Sequence, residues 1–306
     1  MINHYLALIK RELWEHRAIF VTPIAIASIV TLGTLMALML AGEFRQELDL
    51  AIFGAQNVVG EMERRAFLTA FFGGTSWLFL LGLGVLSIFY ALDSLYAERK
   101  DKSILFWRSL PVTDAETVLS KLLTAAFVIP AVAIAGIIVT HLVNLVIMSI
   151  WIATKGGSAG VLIWGSVPFF DNWMATILVI YASAIWMSPF LGWFLFVSAW
   201  TKRSPFMVAF LPLVLIPLIE GIFLRSSHFA EAVWARGAQI PLFQAGIDVE
   251  EFFDEDNIQL SEEMISLLTH IDLGRFFSSI DTWIGIIVCG LLTTAAIYVR
   301  RYRDES

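Results

Sequence analysis

This 306-residue sequence predicts an all-α polytopic membrane protein with six transmembrane helices. Two observations carry that reading. Hydrophobic residues make up 58% and charged residues only 15%, against roughly 25% charged in a soluble domain. The charges are also segregated, leaving Ala18–Ala41, Ala66–Leu92, Leu122–Thr154, Asn172–Thr201, Ser204–Ile219 and Thr282–Val299 free of Lys, Arg, Asp and Glu. At about 1.5 Å per helical residue, some 20 residues cross a hydrocarbon core of about 30 Å. Four stretches reach that length, the last is marginal, and the fifth reaches it as Pro205–Leu224 with Glu220 included.

The elements follow in order. Residues 1–17 form an amphipathic interfacial helix, with Ile2, Tyr5, Leu6, Ile9 and Leu13 at helical spacing opposite Asn3, Lys10 and Glu12. The apolar run after it exceeds the 7–15 residues of a signal-peptide core, so it reads as a retained span. Residues 18–306 read as one transmembrane domain with spans near 18–41, 70–92, 122–152, 173–200, 205–224 and 282–299. Loop 96–121 joins the second and third spans, and an acidic, partly helical segment, 226–281, precedes the last. Within that segment Phe229–Trp234 and Ser261–His270 have helical patterning, Ser261 as an N-cap. It suits either an amphipathic layer on the bilayer or a small soluble cap.

Thirteen of the 20 basic residues fall on one side, among them Lys10, Arg11, Arg99, Lys100, Lys121, Lys202, Arg203, Arg300 and Arg301. The positive-inside rule then puts both termini in the cytoplasm. The net charge of −7 reflects the acidic outer loops and points to no nucleic-acid partner.

Catalytic chemistry has little to work with. No H-E-x-x-H pair, aspartate-rich metal motif or G-x-x-x-x-G-K-[ST] phosphate loop occurs, and no catalytic, metal or ATP site is expected in this chain. Cys289 lies inside an apolar stretch as a buried small residue. His141 and Asn144 share one face of the third span. They suit a polar lining for a substrate path or an interhelical hydrogen bond.

Loop 96–121 is the most informative stretch. The charged run Glu98-Arg99-Lys100-Asp101-Lys102 precedes a short apolar-aromatic helix, Ile104–Leu110, stopped before Pro111. Thr113 or Asp114 caps a restart into the third span. Leu105, Phe106, Trp107 and Leu110 would be anchors for a groove on a partner or rest on lipid headgroups.

This pattern, with Glu98, Arg99, Leu105, Ser-Leu-Pro-Val-Thr at 109–113, Glu116 and Lys121, resembles the coupling loop of type-2 ATP-binding-cassette (ABC) exporter permeases. Motif similarity covers about Tyr96–Lys121, and the architecture agrees over the whole chain. One departure is Asp101-Lys102-Ser103-Ile104, where many members have Gly-Thr. The resemblance implies a homodimeric permease in a prokaryotic inner membrane, docked on a cytoplasmic ABC ATPase that binds ATP and Mg. The substrate would be a small drug, peptide or lipid-like molecule. Glu98, Arg99, Leu105, Phe106, Trp107 and Leu110 would be the ATPase-coupling contacts. Thr75, Ser76, Ser87, Pro212 and Pro217, with His141 and Asn144, would be pathway candidates. The rivals are a mechanical signalling or anchor complex without transport, and an ATP-independent channel or secondary carrier.

Overall fold

The computed structural model describes residues 2–41, 58–109, 111–165, 168–243 and 267–302. Apart from an isolated bridge between Phe243 and Ile271, the regular elements among these residues are helices. Six are long and apolar enough to cross a membrane.

The chain begins with α1 (Ile2–Glu15) and turns at His16–Arg17 into α2 (Ala18–Ala41). Then α3 (Val58–Lys100) runs for 43 residues, about 65 Å at 1.5 Å per residue. It overshoots the expected span 70–92 at both ends. Hydropathy marks only the apolar stretch, and no proline interrupts the polar continuations on either side. The short α4 (Ile104–Arg108) leads to α5 (Asp114–Leu123). Thr113 caps α5 in a reciprocal capping box, its side chain accepting from the Glu116 amide while the Glu116 carboxylate accepts from the Thr113 amide. A wide π turn, Thr124–Val128, joins α5 to α6 (Ile129–Thr154). Pro130 offers no N–H to the Ala126 carbonyl, and the wider turn accommodates that gap.

The expected fourth span, 173–200, is two helices, α7 (Phe169–Trp186) and α8 (Ser188–Trp200), broken at Met187. Pro189 is the reason: it cannot donate to Ile185 and starts a new helix instead. Next come α9 (Pro205–Ile219) with a π turn to Leu224, α10 (His228–Ala238), α11 (Leu273–Ser278) and α12 (Ile280–Tyr302). The expected N-cap Ser261 lies outside the described residues.

Packing centres on α8, which lies between α12 and α3, with α2 and α6 completing the bundle. Small residues set the closest approaches. A Cβ at Gly136 would meet Pro23 of α2 and Phe79 of α3 at 3.1 Å, and one at Gly192 would meet the Cys289 backbone of α12 at 3.0 Å. Helices in lipid gain little from apolar burial against one another, so backbone proximity supplies the dispersion that holds them. By contrast α9 is sparsely packed, with 11% of its span buried. It meets α3 where Phe206 stacks on Phe89, ring centres 6.1 Å apart.

Candidate functional site: a buried charge network beneath the short helix α4

Four helices converge where α4 leaves the bundle. From the end of α3, Glu98 points inward and takes three cations. Arg11 Nη2 of α1 reaches Glu98 Oε1 at 2.6 Å, Lys121 Nζ of α5 reaches the same oxygen at 3.0 Å, and Arg300 Nη1 of α12 reaches Oε2 at 2.7 Å. A second carboxylate, Glu12 of α1, accepts from Lys121 at 2.8 Å, Arg11 at 3.0 Å and the Tyr90 hydroxyl at 2.8 Å. Asp114 completes the set by accepting from Arg300 Nε at 3.0 Å. Glu12 and Lys121 are fully buried and Glu98 nearly so. Three cations therefore face three carboxylates, which is the condition for charges to stay ionised away from water.

Glu15 lies at the edge, its carboxylate in an ion pair 3.2 Å from Arg11 Nε. Burial alone would lower the Arg11 pKa, but Glu12, Glu98 and Glu15 together raise it. Burial lowers the pKa of His16, whose ring packs edge-on to Tyr90 at 4.8 Å, despite the pull of Glu12. Glu12, Glu15 and His16 bring three possible metal-ligand atoms within 4.8 Å of one another. The Glu12 oxygens are already committed to Lys121, Arg11 and Tyr90, so that donor set is spent on internal partners.

The network reaches α4 through Arg11. Its guanidinium lies over the Trp107 ring, 3.9 Å from the centroid. Ile104 is fully buried beneath α4, whereas Leu105 and Phe106 are 59% and 60% exposed. Of the expected coupling anchors, the structure thus presents Leu105 and Phe106 outward and turns Trp107 toward α1. Leu110 lies outside the described residues. Arg99 ties the end of α3 to the end of α8, donating to the carbonyls of Ser198 at 2.5 Å and Thr201 at 2.7 Å.

Sequence reading placed Lys121 and Arg300 among charges marking one membrane face, and Glu12 on the polar face of α1. The structure buries all three and exposes Leu6, which was expected on the apolar face. Glu12 goes inside because Lys121 supplies its counter-charge there. The capping signal at Thr113–Glu116 located the start of α5, but nothing in the sequence paired residue 12 with 121.

Farther along the bundle, the other polar candidates form an interhelical clamp. The Trp173 indole N–H of α7 donates to His141 Nδ1 at 3.3 Å, which leaves the proton of the neutral imidazole on Nε2. That nitrogen donates to Thr75 Oγ1 of α3 at 2.5 Å, and the Thr75 hydroxyl donates to the Phe72 carbonyl at 2.9 Å. Three helices are joined by one chain with both ring nitrogens used. Asn144 donates to Thr31 Oγ1 at 3.3 Å and to the Thr140 carbonyl at 2.8 Å. Ser76 meets Thr176 at 3.4 Å. Ser87 is half-buried on α3, and Pro212 and Pro217 are half-buried on α9. Thr75→Val removes the acceptor of His141 Nε2–H and should cost ~0.6–2 kcal/mol. Thermal unfolding of the solubilised protein reads that loss.

At the opposite end of α9, Glu220 caps α10: Oε2 accepts from the Phe229 amide and Oε1 from Ser226 Oγ, both at 2.9 Å. Arg236 of α10 stacks over Trp186 at 4.2 Å, donates to the Trp186 carbonyl at 2.9 Å and also bonds the Asp281 carbonyl. Gly285 makes room for it, since a Cβ there would lie 2.4 Å from Arg236 Nη1.

The bundle thus combines six helices of spanning length with a short exposed helix mounted on a charge network. The model of the ABC-2 family transporter protein matches residues 66–231, more than half of the chain. The chain belongs to that family. No curated protein and no solved structure matches. The matched region of this ABC-2 transporter subunit takes in α4, Glu98 and Lys121, the His141 clamp and the start of α10. It leaves α1 and α12, hence Arg11, Glu12 and Arg300, outside.

Proposed function

We propose that this ABC-2 transporter subunit is the permease half of an ATP-driven exporter. Leu105 and Phe106 of α4 dock into a separate cytoplasmic ABC ATPase that holds ATP and Mg. The observation that supports this is the mounting of α4: Ile104 is buried and Trp107 lies under Arg11, while its two largest apolar neighbours stay in the open. A helix held from behind and apolar in front fits a groove on a partner, and it passes movement to α1, α3, α5 and α12 through Arg11 and Glu98.

In this reading two copies pair in a prokaryotic inner membrane with both termini cytoplasmic. The sparsely packed α9 and the adjoining face of α3, with Ser87, Pro212 and Pro217, border the route of a small hydrophobic or amphipathic substrate. Glu98 and Arg99 hold the loop in place, and Trp107 acts through Arg11.

The test is Leu105→Asp with Phe106→Asp, followed by affinity capture from native membranes in mild detergent and by ATPase stimulation in proteoliposomes. Both positions are exposed, so the fold should change by only about 0.5 kcal/mol and the variant should insert normally. The expected result is an ABC ATPase captured with the wild type and lost from the variant, with stimulation falling at least about tenfold. Unchanged capture and stimulation would overturn the docking role. Capture and ATP turnover without movement of any substrate would favour a signalling complex.

A further inference from the structure

The face of α1 turned away from the charge network carries Leu6, Lys10 and Trp14, each four residues from the next, and Arg17 follows in the turn to α2; all four are exposed. Leu6 is 58% and Trp14 71% exposed. The Lys10 ammonium lies 5.0 Å from the centre of the Trp14 ring. We infer that this stripe is a binding site for the headgroup of an anionic phospholipid in the adjacent leaflet.

Three observations select that occupant. First, the stripe continues into α2, where Val21 and Ile24 are 60% and 64% exposed on a helix of membrane-spanning length and composition. Trp14 and Arg17 therefore sit where hydrocarbon gives way to headgroups, the depth that an amphipathic indole and a cationic side chain prefer. Second, the charge is one-sided. On α1 itself the carboxylates Glu12 and Glu15 pair with Lys121 and Arg11 on the other face, so Lys10 and the following Arg17 present positive charge outward. Third, apolar Leu6 and Trp14 alternate with those cations, which matches a surface with acyl chains beside phosphates and not a water-facing protein groove. Phosphatidylglycerol and phosphatidylcholine both offer a phosphate, but only the former carries net negative charge to complement two cations.

The site does not depend on whether an ATPase docks on α4, and it can be tested alone. The full-length protein is placed in nanodiscs of phosphatidylcholine containing equal mole fractions of brominated-tail phosphatidylglycerol or brominated-tail phosphatidylcholine. Quenching of Trp14 is taken as the difference between the wild type and Trp14→Phe. Brominated phosphatidylglycerol should quench that component at a lower mole fraction, by about fivefold or more. Lys10→Gln with Arg17→Gln should remove the preference while Trp14 stays accessible to both lipids. Equal quenching by the two lipids in the wild type, or a preference that survives the double substitution, would overturn the site. So would a Trp14 quenched by neither, which would place this face against a soluble partner.

Discussion

Lys121→Met should lower the stability of the solubilised protein by ~3–5 kcal/mol, the cost of removing one partner from a buried ion pair. Lys121 is 0% exposed and donates to Glu12 at 2.8 Å and to Glu98 at 3.0 Å. Without it, the buried Glu12 and Glu98 and the partly buried Asp114 face two cations, Arg11 and Arg300, and one carboxylate must take up a proton or draw in water. A second substitution separates this cause from lost packing. Adding Glu12→Gln restores the charge balance, so the double variant should recover ~1–2 kcal/mol of the loss as a coupling energy. Lys121→Arg keeps the charge and should lose less than Lys121→Met. Thermal unfolding followed by intrinsic fluorescence in one detergent reads all three. A Lys121→Met variant that melts with the wild type, or strictly additive effects in the cycle, would remove the network from the list of forces holding the four helices.

The same network bears on movement. Breaking a buried pair costs far more than breaking an exposed one, whose worth is about 0–1 kcal/mol. Helices α1, α3, α5 and α12 are therefore held together at this end, and under the proposed docking a push on α4 would reach them as a unit through Trp107, Arg11 and Glu98. This makes Arg11 the joint between α4 and the bundle. Its three carboxylate partners and the Trp107 face use the guanidinium as donor and as flat cation at once, which a lysine could not reproduce.

What the sequence disclosed depended on the range of the force involved. Hydropathy is local, so Ala18–Ala41 and Pro205–Leu224 read directly as spans. Capping is local too, and Thr113 starts α5 through a bond to a residue three positions on. The charge network is not local. Glu98 and Arg300 are 202 residues apart and Glu12 and Lys121 are 109 apart. A charged residue beside a span reads equally well as a solvated anchor or as one half of a buried pair. Arg300 beside Arg301 shows the ambiguity: the first is buried on Glu98 and Asp114, the second is exposed. His141 shows it for polar groups. Its position in an apolar span marked it as paired or functional, but Trp173 and Thr75 became its partners only when three helices met.

Gly192→Val should separate α8 from α12, at a cost of ~2–3 kcal/mol from overpacking. A Cβ at residue 192 would lie 3.0 Å from both the Cα and the carbonyl oxygen of Cys289, and 3.3 Å from Leu292 Cβ. Two of those three atoms are backbone, so no rotamer change relieves them and the helices must part. Cys289 is the single cysteine in the chain and is buried at this contact, so its reaction with a maleimide reports the separation directly. The wild type should label slowly and Gly192→Val markedly faster, together with a lower melting temperature. Gly290→Ala is the matched control. It lies one residue from Cys289, but its Cβ would meet nothing within 4 Å, and alanine favours a helix by about 0.8–1.0 kcal/mol over glycine. That variant should label like the wild type and melt no lower. If Gly192→Val also labels and melts like the wild type, the close approach of α8 and α12 is not what holds this end of the bundle.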